Sequence, residues 1–317
     1  MPKPAPRTAK VAPPFTGDAR VTLAAPPPLG TAMLPPGTYV GRTVVVTGGG
    51  TGLGRGIALE FARLGASIAI LSRKPEHLAA GVAAMESVGA RAIAVACDVR
   101  NPEQITVAFD AAEAQLGAVS VLINNAAGNF PAPAEQMTPN GWRTVVDIVR
   151  NGTFNCSREF AVRRLAAQAG GAILNIGATY AWTGGPGTAH SAAAKAGVTN
   201  MTQSLAVEWA GDDIRVNCLA PGRFPHDDMP EHMTRHRAGD SADNTIPGGR
   251  VGQIQELGWA ATFLCSPFAA YITGHTLVVD GANWLRRSLV MPEFVPIREQ
   301  FGTTGSADAV VRARGSK

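Results

Sequence analysis

Apolar residues in this chain recur in short bursts of strand length, separated by longer stretches with helical spacing. The bursts are "TVVVT" (43–47), "SIAIL" (67–71), "AIAVACDV" (92–99), "VSVLINN" (119–125), "AILNIG" (172–177), "IRVNCLA" (214–220) and "TLVVD" (276–280). "GLGRGIALEFARLG" follows the first burst, carries apolar residues at helical spacing and stops at Gly65; further helix-length segments lie near 75–88, 102–116, 138–168, 187–210 and 253–265. The bursts are apolar throughout, as strands buried on both faces must be. Their alternation with helices calls for a parallel sheet covered on both sides. The predicted fold is α/β: one doubly wound domain over 38–285, with a seven-stranded parallel sheet. Residues 1–37, a Pro/Ala-rich arm, and 286–317, a tail, lie outside the pattern.

Composition narrows the partners. Of 317 residues, 45% are apolar and 16% charged, with a net charge of +4, so there is ample material for one large core. No run of Lys and Arg interleaved with aromatics marks a nucleic-acid surface, and no apolar run is long enough to cross a membrane. The mild positive charge suits an anionic substrate. Cys97, Cys156, Cys218 and Cys265 lack metal-ligand spacing and read as buried, reduced thiols, so no metal site is expected. The arm has four basic residues and one acid before Thr31 and no signal-peptide core. Two readings stay open for it: an extended arm on a cytoplasmic protein, or a transit peptide to the mitochondrial matrix.

Chemistry begins at "TGGGTGLGRG", placed after the first strand and before a helix. Gly48 permits the tight turn, Gly52 lets the backbone approach a pyrophosphate, and Gly54 allows close helix–strand packing, with Thr51 and Leu53 between them. The helix start offers free N–H groups and a positive dipole end to the anion. This is a Rossmann-type dinucleotide site. At the end of the second strand stands "SRK", Ser72, Arg73 and Lys74, where an NAD enzyme needs an acid for the ribose 2′-hydroxyl. Two cations and a hydroxyl suit a 2′-phosphate, and NADPH is the expected cofactor.

Thr47-Gly48-x-x-x-Gly52-x-Gly54, Asp98 with Val99, "NNAAG" beginning at Asn124, and Pro221-Gly222 together resemble the short-chain dehydrogenase/reductase family over about residues 38–285. The resemblance implies that Asp98 and Val99 lie beside the adenine and that Pro221 and Gly222 meet the nicotinamide. It also exposes a departure. The family's catalytic Asn, Ser, Tyr and Lys fall on Val149, Ala178, Ser191 and Lys195, so only the lysine survives. A ketone reductase must protonate the oxygen on the carbon that receives hydride, which requires an acid beside the nicotinamide. A conjugated dienoyl thioester is different. Hydride adds at C5 while charge gathers on the oxygen borne by C1, a carbon four bonds away, on the order of 5 Å at about 1.3–1.5 Å per bond. The donor must then stand away from the nicotinamide. Tyr180, fifteen residues before Lys195, is such a displaced hydroxyl.

"INNAAGNF", "CDVR" and "SAAAKAG" resemble the NADPH-dependent 2,4-dienoyl-CoA reductases of that family. The resemblance implies that Tyr180 and Asn129 hold the thioester oxygen, and that Lys195 holds the nicotinamide ribose and keeps Tyr180 acidic. It implies that Ser191 replaces part of the missing hydroxyl network, while Arg100, Phe130 and Thr138 contact an acyl-CoA substrate. A homotetramer and a leaning toward a 3-enoyl product follow from it too. The loop "GRFPHDDMP" departs from the family, so Arg223, Arg235 and Arg237 stand only as options for the CoA phosphates. Plainer readings stay open: Tyr180 as an aromatic lid, Asn129 as a turn-former, His190, Trp142 and Trp182 as packing residues, Arg100 as a solvated charge. Two other functions also stay open, reduction of another conjugated thioester or enone, and an NADPH-binding scaffold without turnover.

Overall fold

A computed structural model describes residues 23–226, 229 and 246–286 of the chain. Most of the expected arm, nearly all of the expected tail, and Arg235 and Arg237 lie outside the described residues. The elements follow in the order β1 (Thr43–Thr47), α1 (Gly52–Arg63), β2 (Ser67–Ser72), α2 (Pro75–Glu86), β3 (Ala92–Ala96), α3 (Pro102–Leu116), β4 (Val119–Asn124), α4 (Pro139–Val146), α5 (Gly152–Ala166), β5 (Gly171–Ile176), α6 (Tyr180–Thr183), α7 (Ala189–Trp209), β6 (Ile214–Pro221), α8 (Ile254–Cys265) and β7 (Thr276–Val279). All seven strands are parallel, in the order β3-β2-β1-β4-β5-β6-β7. This is the doubly wound Rossmann sheet the apolar bursts call for.

Alternation within each strand divides the core into two layers. Val44, Val46, Ile68 and Ile70 pack on one face with Ile57 and Phe61 of α1 and Leu257 and Leu264 of α8. Val45, Ala69 and Leu71 pack on the other with Phe109 of α3, Phe160 of α5 and Leu205 of α7. Both faces are thus covered, which explains why β1 and β4 are buried along their whole length.

Two elements differ from expectation, each for a local reason. The third strand stops at Ala96 rather than running to Val99. There the Asp98 carboxylate accepts from the Arg100 backbone N–H at 3.0 Å and the Asp98 carbonyl accepts from Asn101 N–H at 2.9 Å, turning the chain out of the sheet. The helix expected over 138–168 is divided by a wide π turn over Asp147–Asn151, spanned by a 2.7 Å bond from Asn151 Nδ2 to Asp147 Oδ1. Before β1, the described part of the arm lies on the body: Leu23 N–H donates to Gly248 O at 2.9 Å and Trp259 Nε1 to Thr31 O at 3.1 Å. Among the described residues no helix is long and apolar enough to cross a membrane.

Phe61 is fully buried and meets the Tyr39 ring edge-on at 4.8 Å, joining the segment before β1 to α1. Phe61→Ala is expected to lower the unfolding free energy by about 3–5 kcal/mol. Urea denaturation measures it, and a loss below about 1 kcal/mol would show that this layer is not the core described.

Candidate active site

In a parallel doubly wound sheet the carboxyl-end loops meet where strand order reverses, here between β1 and β4. Four hydrogen bonds fasten that point. Thr47 Oγ1 accepts from Asn125 N at 3.0 Å and Ala126 N at 2.9 Å, and Asn125 Nδ2 donates to the carbonyls of Thr47 at 3.0 Å and Gly48 at 3.2 Å. Beside this clasp lies a cleft of about 320 Å³. Of the residues expected to bind cofactor, Gly48, Thr51, Gly52, Leu53, Arg73, Asp98 and Val99 line it.

The cleft fits a dinucleotide. Gly52 has a φ of +52°, which an L side chain rarely adopts, and a Cβ on Gly54 would lie 2.4 Å from both Asn125 Nδ2 and Gly48 O. Gly54 thereby keeps α1 packed close against the turn. No side-chain bond from Thr51 caps α1, whose N-terminus borders the cleft through Thr51, Gly52 and Leu53. Arg73 and Lys74 stand half-exposed at the end of β2, with carboxylates only at 3.9 Å (Asp98) and 3.8 Å (Glu76).

Of the residues expected to do the chemistry, Tyr180, Ser191 and Lys195 lie on α6 and α7 and are not among those that line this cleft. Tyr180 opens α6, and its Oη lies 3.1 Å from Ser191 Oγ in the first turn of α7. Burial raises the phenol's pKa while the Ser191 bond lowers it. One turn on, Lys195 is 6% exposed and donates its Nζ to the Ile176 carbonyl at the end of β5. Burial pushes its pKa down to about 8, opposed by the neighbouring Cys218. Val149, in the family's Asn position, lies in an apolar cluster with Phe130, Val145 and Val198, and Ala178 is buried as well. Trp182, two residues past Tyr180, stacks at a tilt on Trp284 beyond β7, ring centroids 5.3 Å apart.

The chain matches a family model described as Enoyl-(Acyl carrier protein) reductase over residues 48–282. The chain belongs to the short-chain dehydrogenase/reductase family. Among its relatives is the probable 2,4-dienoyl-CoA reductase [(2E)-enoyl-CoA-producing] of Bacillus subtilis, 39% identical over 77% of this chain and 97% of that one. The peroxisomal 2,4-dienoyl-CoA reductase [(3E)-enoyl-CoA-producing] of Arabidopsis thaliana is 37% identical over 81% and 89%. Among solved structures, a short chain dehydrogenase from Bacillus anthracis superposes with a TM-score of 0.73 at 40% identity, covering 78% of this chain and 98% of that one. The citronellol catabolism dehydrogenase of Pseudomonas aeruginosa gives 0.71 at 34% identity, covering 80% and 99%. The protein is an oxidoreductase with a nicotinamide cofactor, as its family implies.

Within this short-chain dehydrogenase/reductase, several expected residues stand elsewhere than the motifs imply. Asn124 turns away from the cleft: its Nδ2 donates at 2.9 Å to both Ser157 Oγ and Asn175 Oδ1, and Asn175 Nδ2 to Thr202 Oγ1, in a buried network under the sheet. Asn125 lines the cleft in its place. Gly54 takes the packing place expected of it, against Asn125 and Gly48. Pro221 ends β6 and Gly222 follows it; a Cβ on Gly222 would lie 2.4 Å from Asp280 Cβ, so this turn is held against the end of β7. Arg100 grips Asp98 through Nε at 3.0 Å and Nη2 at 2.5 Å and borders a separate surface hollow with Asp147, Arg150 and Phe154. Phe130 is buried, edge-on to the His190 ring at 4.6 Å. Thr138 caps α4 by accepting from Gly141 N at 3.0 Å. Asn129 sits just before Phe130 on the loop after β4, and no direct bond joins Lys195 to Tyr180.

His226 is a residue the motifs did not single out. Its ring lies 3.0–3.3 Å from where a Cβ of Gly52 would stand, and it lines the cleft, so the loop after β6 reaches the glycine turn. Its position within the unusual "GRFPHDDMP" loop was the one available signal.

Lys195 yields a prediction with a definite sign. Its folded pKa of about 8 lies below the ordinary lysine value, so between roughly pH 8 and 10.4 the unfolded chain holds a proton the folded chain has lost. Its contribution to stability therefore rises with pH across that window. The difference in unfolding free energy between wild type and Lys195→Met is expected to grow in the wild type's favour, by up to about 1.4 kcal/mol per pH unit. Urea denaturation across the window measures it, and parallel curves would contradict the assignment.

Proposed function

We propose that this oxidoreductase uses NADPH to reduce 2,4-dienoyl-CoA thioesters to enoyl-CoA in the β-oxidation of unsaturated fatty acids. The observation that carries the reading is the Tyr180–Ser191 pair at 3.1 Å, set beside apolar Val149 and Ala178 where a carbonyl reductase needs an amide and a hydroxyl. The names of the relatives from Bacillus subtilis and Arabidopsis thaliana support the same substrate class.

When bound, NADPH supplies the hydride. Arg73, with Lys74 and Ser72, would hold its 2′-phosphate, and the N-terminus of α1 with Gly48, Thr51, Gly52 and Leu53 would hold its pyrophosphate. Asp98 and Val99 border the adenine, with Asp98 held by Arg100. Lys195, anchored on the Ile176 carbonyl, holds the nicotinamide ribose, and Pro221 and Gly222 bound that end of the site. Tyr180 donates to the thioester oxygen, releasing or sharing its bond to Ser191, and Asn129 is the second donor. The two stabilise the dienolate formed when hydride reaches C5. Phe130 and Thr138 then act chiefly by holding the Asn129 loop and α4, whereas Arg100 meets the CoA portion only from its place beside Asp98. Water supplies the last proton, at C2 for a 3-enoyl product or at C4 for a 2-enoyl product; product NMR distinguishes them. Assembly as a homotetramer, and action in the cytoplasm or mitochondrial matrix, belong to the same proposal.

A second reading, reduction of another conjugated thioester or enone, uses the same displaced Tyr180 donor. NADPH oxidation with hexa-2,4-dienoyl-CoA, a 2-enoyl-CoA and a simple ketone separates the readings, and dienoyl-CoA is expected to be the fastest by far. Tyr180→Phe is expected to lower kcat about 10²–10³-fold, the usual loss for one oxyanion donor, while the NADPH Kd stays within about twofold. Unchanged turnover would remove Tyr180 from the chemistry, and no turnover with any of the three would favour a scaffold.

A further inference from the structure

The opposite edge of the sheet carries a second cavity of about 320 Å³, at the amino ends of β1, β4, β5 and β6. It shares no residue with the cofactor cleft. Three arginines line it, Arg42, Arg164 and Arg215, against one carboxylate, Asp213, on the exposed turn before β6.

The arginines are unequally satisfied. Arg215 is used up structurally, its guanidinium donating to the carbonyls of Leu264 at 2.7 Å, Ile272 at 3.1 Å and Ser266 at 3.1 Å. Arg164 is only 8% exposed, yet it donates Nε alone, to Gly170 O at 2.8 Å. Among the described residues its two Nη groups have no acceptor, and no carboxylate lies within ion-pair distance of Arg42 or Arg164. The Ser120 hydroxyl, on the cavity wall, is buried with no hydrogen-bond partner. Two like charges share a partly enclosed space, and the low-dielectric wall strengthens their repulsion. Burial holds the Arg164 pKa below its ordinary range, Glu113 opposes this, and the charge of Arg42 adds to it. Glu113 offsets the repulsion from Arg42, but its carboxylate is paired with Arg163 at 2.8 Å and does not line the cavity.

A mostly buried arginine whose Nη donors have no acceptor among the described residues, and a second arginine on the same hollow, are the parts of an anion site. We propose that this cavity binds a small tetrahedral oxyanion, as inorganic phosphate or as the phosphate of a small monoester, held by Arg42 and Arg164. The site is independent of the reaction assigned to Tyr180, and the volume leaves room for a short organic group beyond the phosphate.

The test uses the full chain with saturating NADPH, so that the phosphate positions of the cofactor cleft are filled. Thermal unfolding is followed against inorganic phosphate, glycerol 3-phosphate, and KCl at matched ionic strength. A saturable Tm rise of roughly 2 °C over KCl is expected at a ligand concentration tenfold above Kd. Whichever ligand binds more tightly identifies the source. Arg42→Gln and Arg164→Gln are each expected to weaken binding at least about tenfold, as loss of a charge-assisted contact does. Arg42 is exposed, so its variant decides the matter even if Arg164→Gln does not fold. No rise beyond KCl with either ligand, or a full rise in Arg42→Gln, overturns the proposal.

Discussion

The clasp between Thr47 and Asn125 is the interaction on which the site depends. β1 and β4 are neighbours in space but distant in sequence, and they diverge beyond their carboxyl ends to opposite faces of the sheet. Without a fastening, the glycine turn and the loop after β4 would part, and the cleft between them would have no fixed floor. The Thr47 hydroxyl and the Asn125 amide supply that fastening with four bonds. The same loop carries Asn129 a few residues on, so cofactor cleft and proposed oxyanion site are set by one piece of backbone.

From that floor the arrangement is a matter of where charge develops. The position that bears the acid in an ordinary carbonyl reductase of this family holds Ser191, and the supporting amide and hydroxyl positions hold Val149 and Ala178. The phenol has moved to the start of α6, where Ser191 meets it and Trp182 packs on Trp284. Such a site is poor at protonating an atom next to the hydride acceptor. It suits a substrate whose electrons travel along a conjugated chain before they are caught, and the proposed dienoyl thioester is that kind of substrate. Lys195 keeps a place but answers to the Ile176 carbonyl rather than to the phenol.

Much of the fold was legible because strand burial writes itself into the sequence. "TVVVT" is apolar throughout because both faces of β1 are covered, and seven such bursts became seven parallel strands. Boundaries were less legible where side chains redirect the backbone: Asp98 ended β3 early, and the Asp147–Asn151 turn divided a helix that periodicity read as continuous. The cofactor cleft was legible to the extent that glycine is required for close approach. Asn124 and Asn125 show the limit, since adjacent identical residues at a strand end point to opposite sides, and only register tells which one reaches the cleft. The contribution of His226 arises from a loop that follows β6 and folds back over α1, a contact between residues about 170 positions apart that no local pattern encodes.

The most direct measurement is a crystal structure of the ternary complex with NADP⁺ and a dienoyl-CoA. The account predicts the Tyr180 hydroxyl within about 2.5–3.0 Å of the thioester oxygen, with C5 against the nicotinamide. A complex in which the phenol stays on Ser191 while another group holds that oxygen would contradict it.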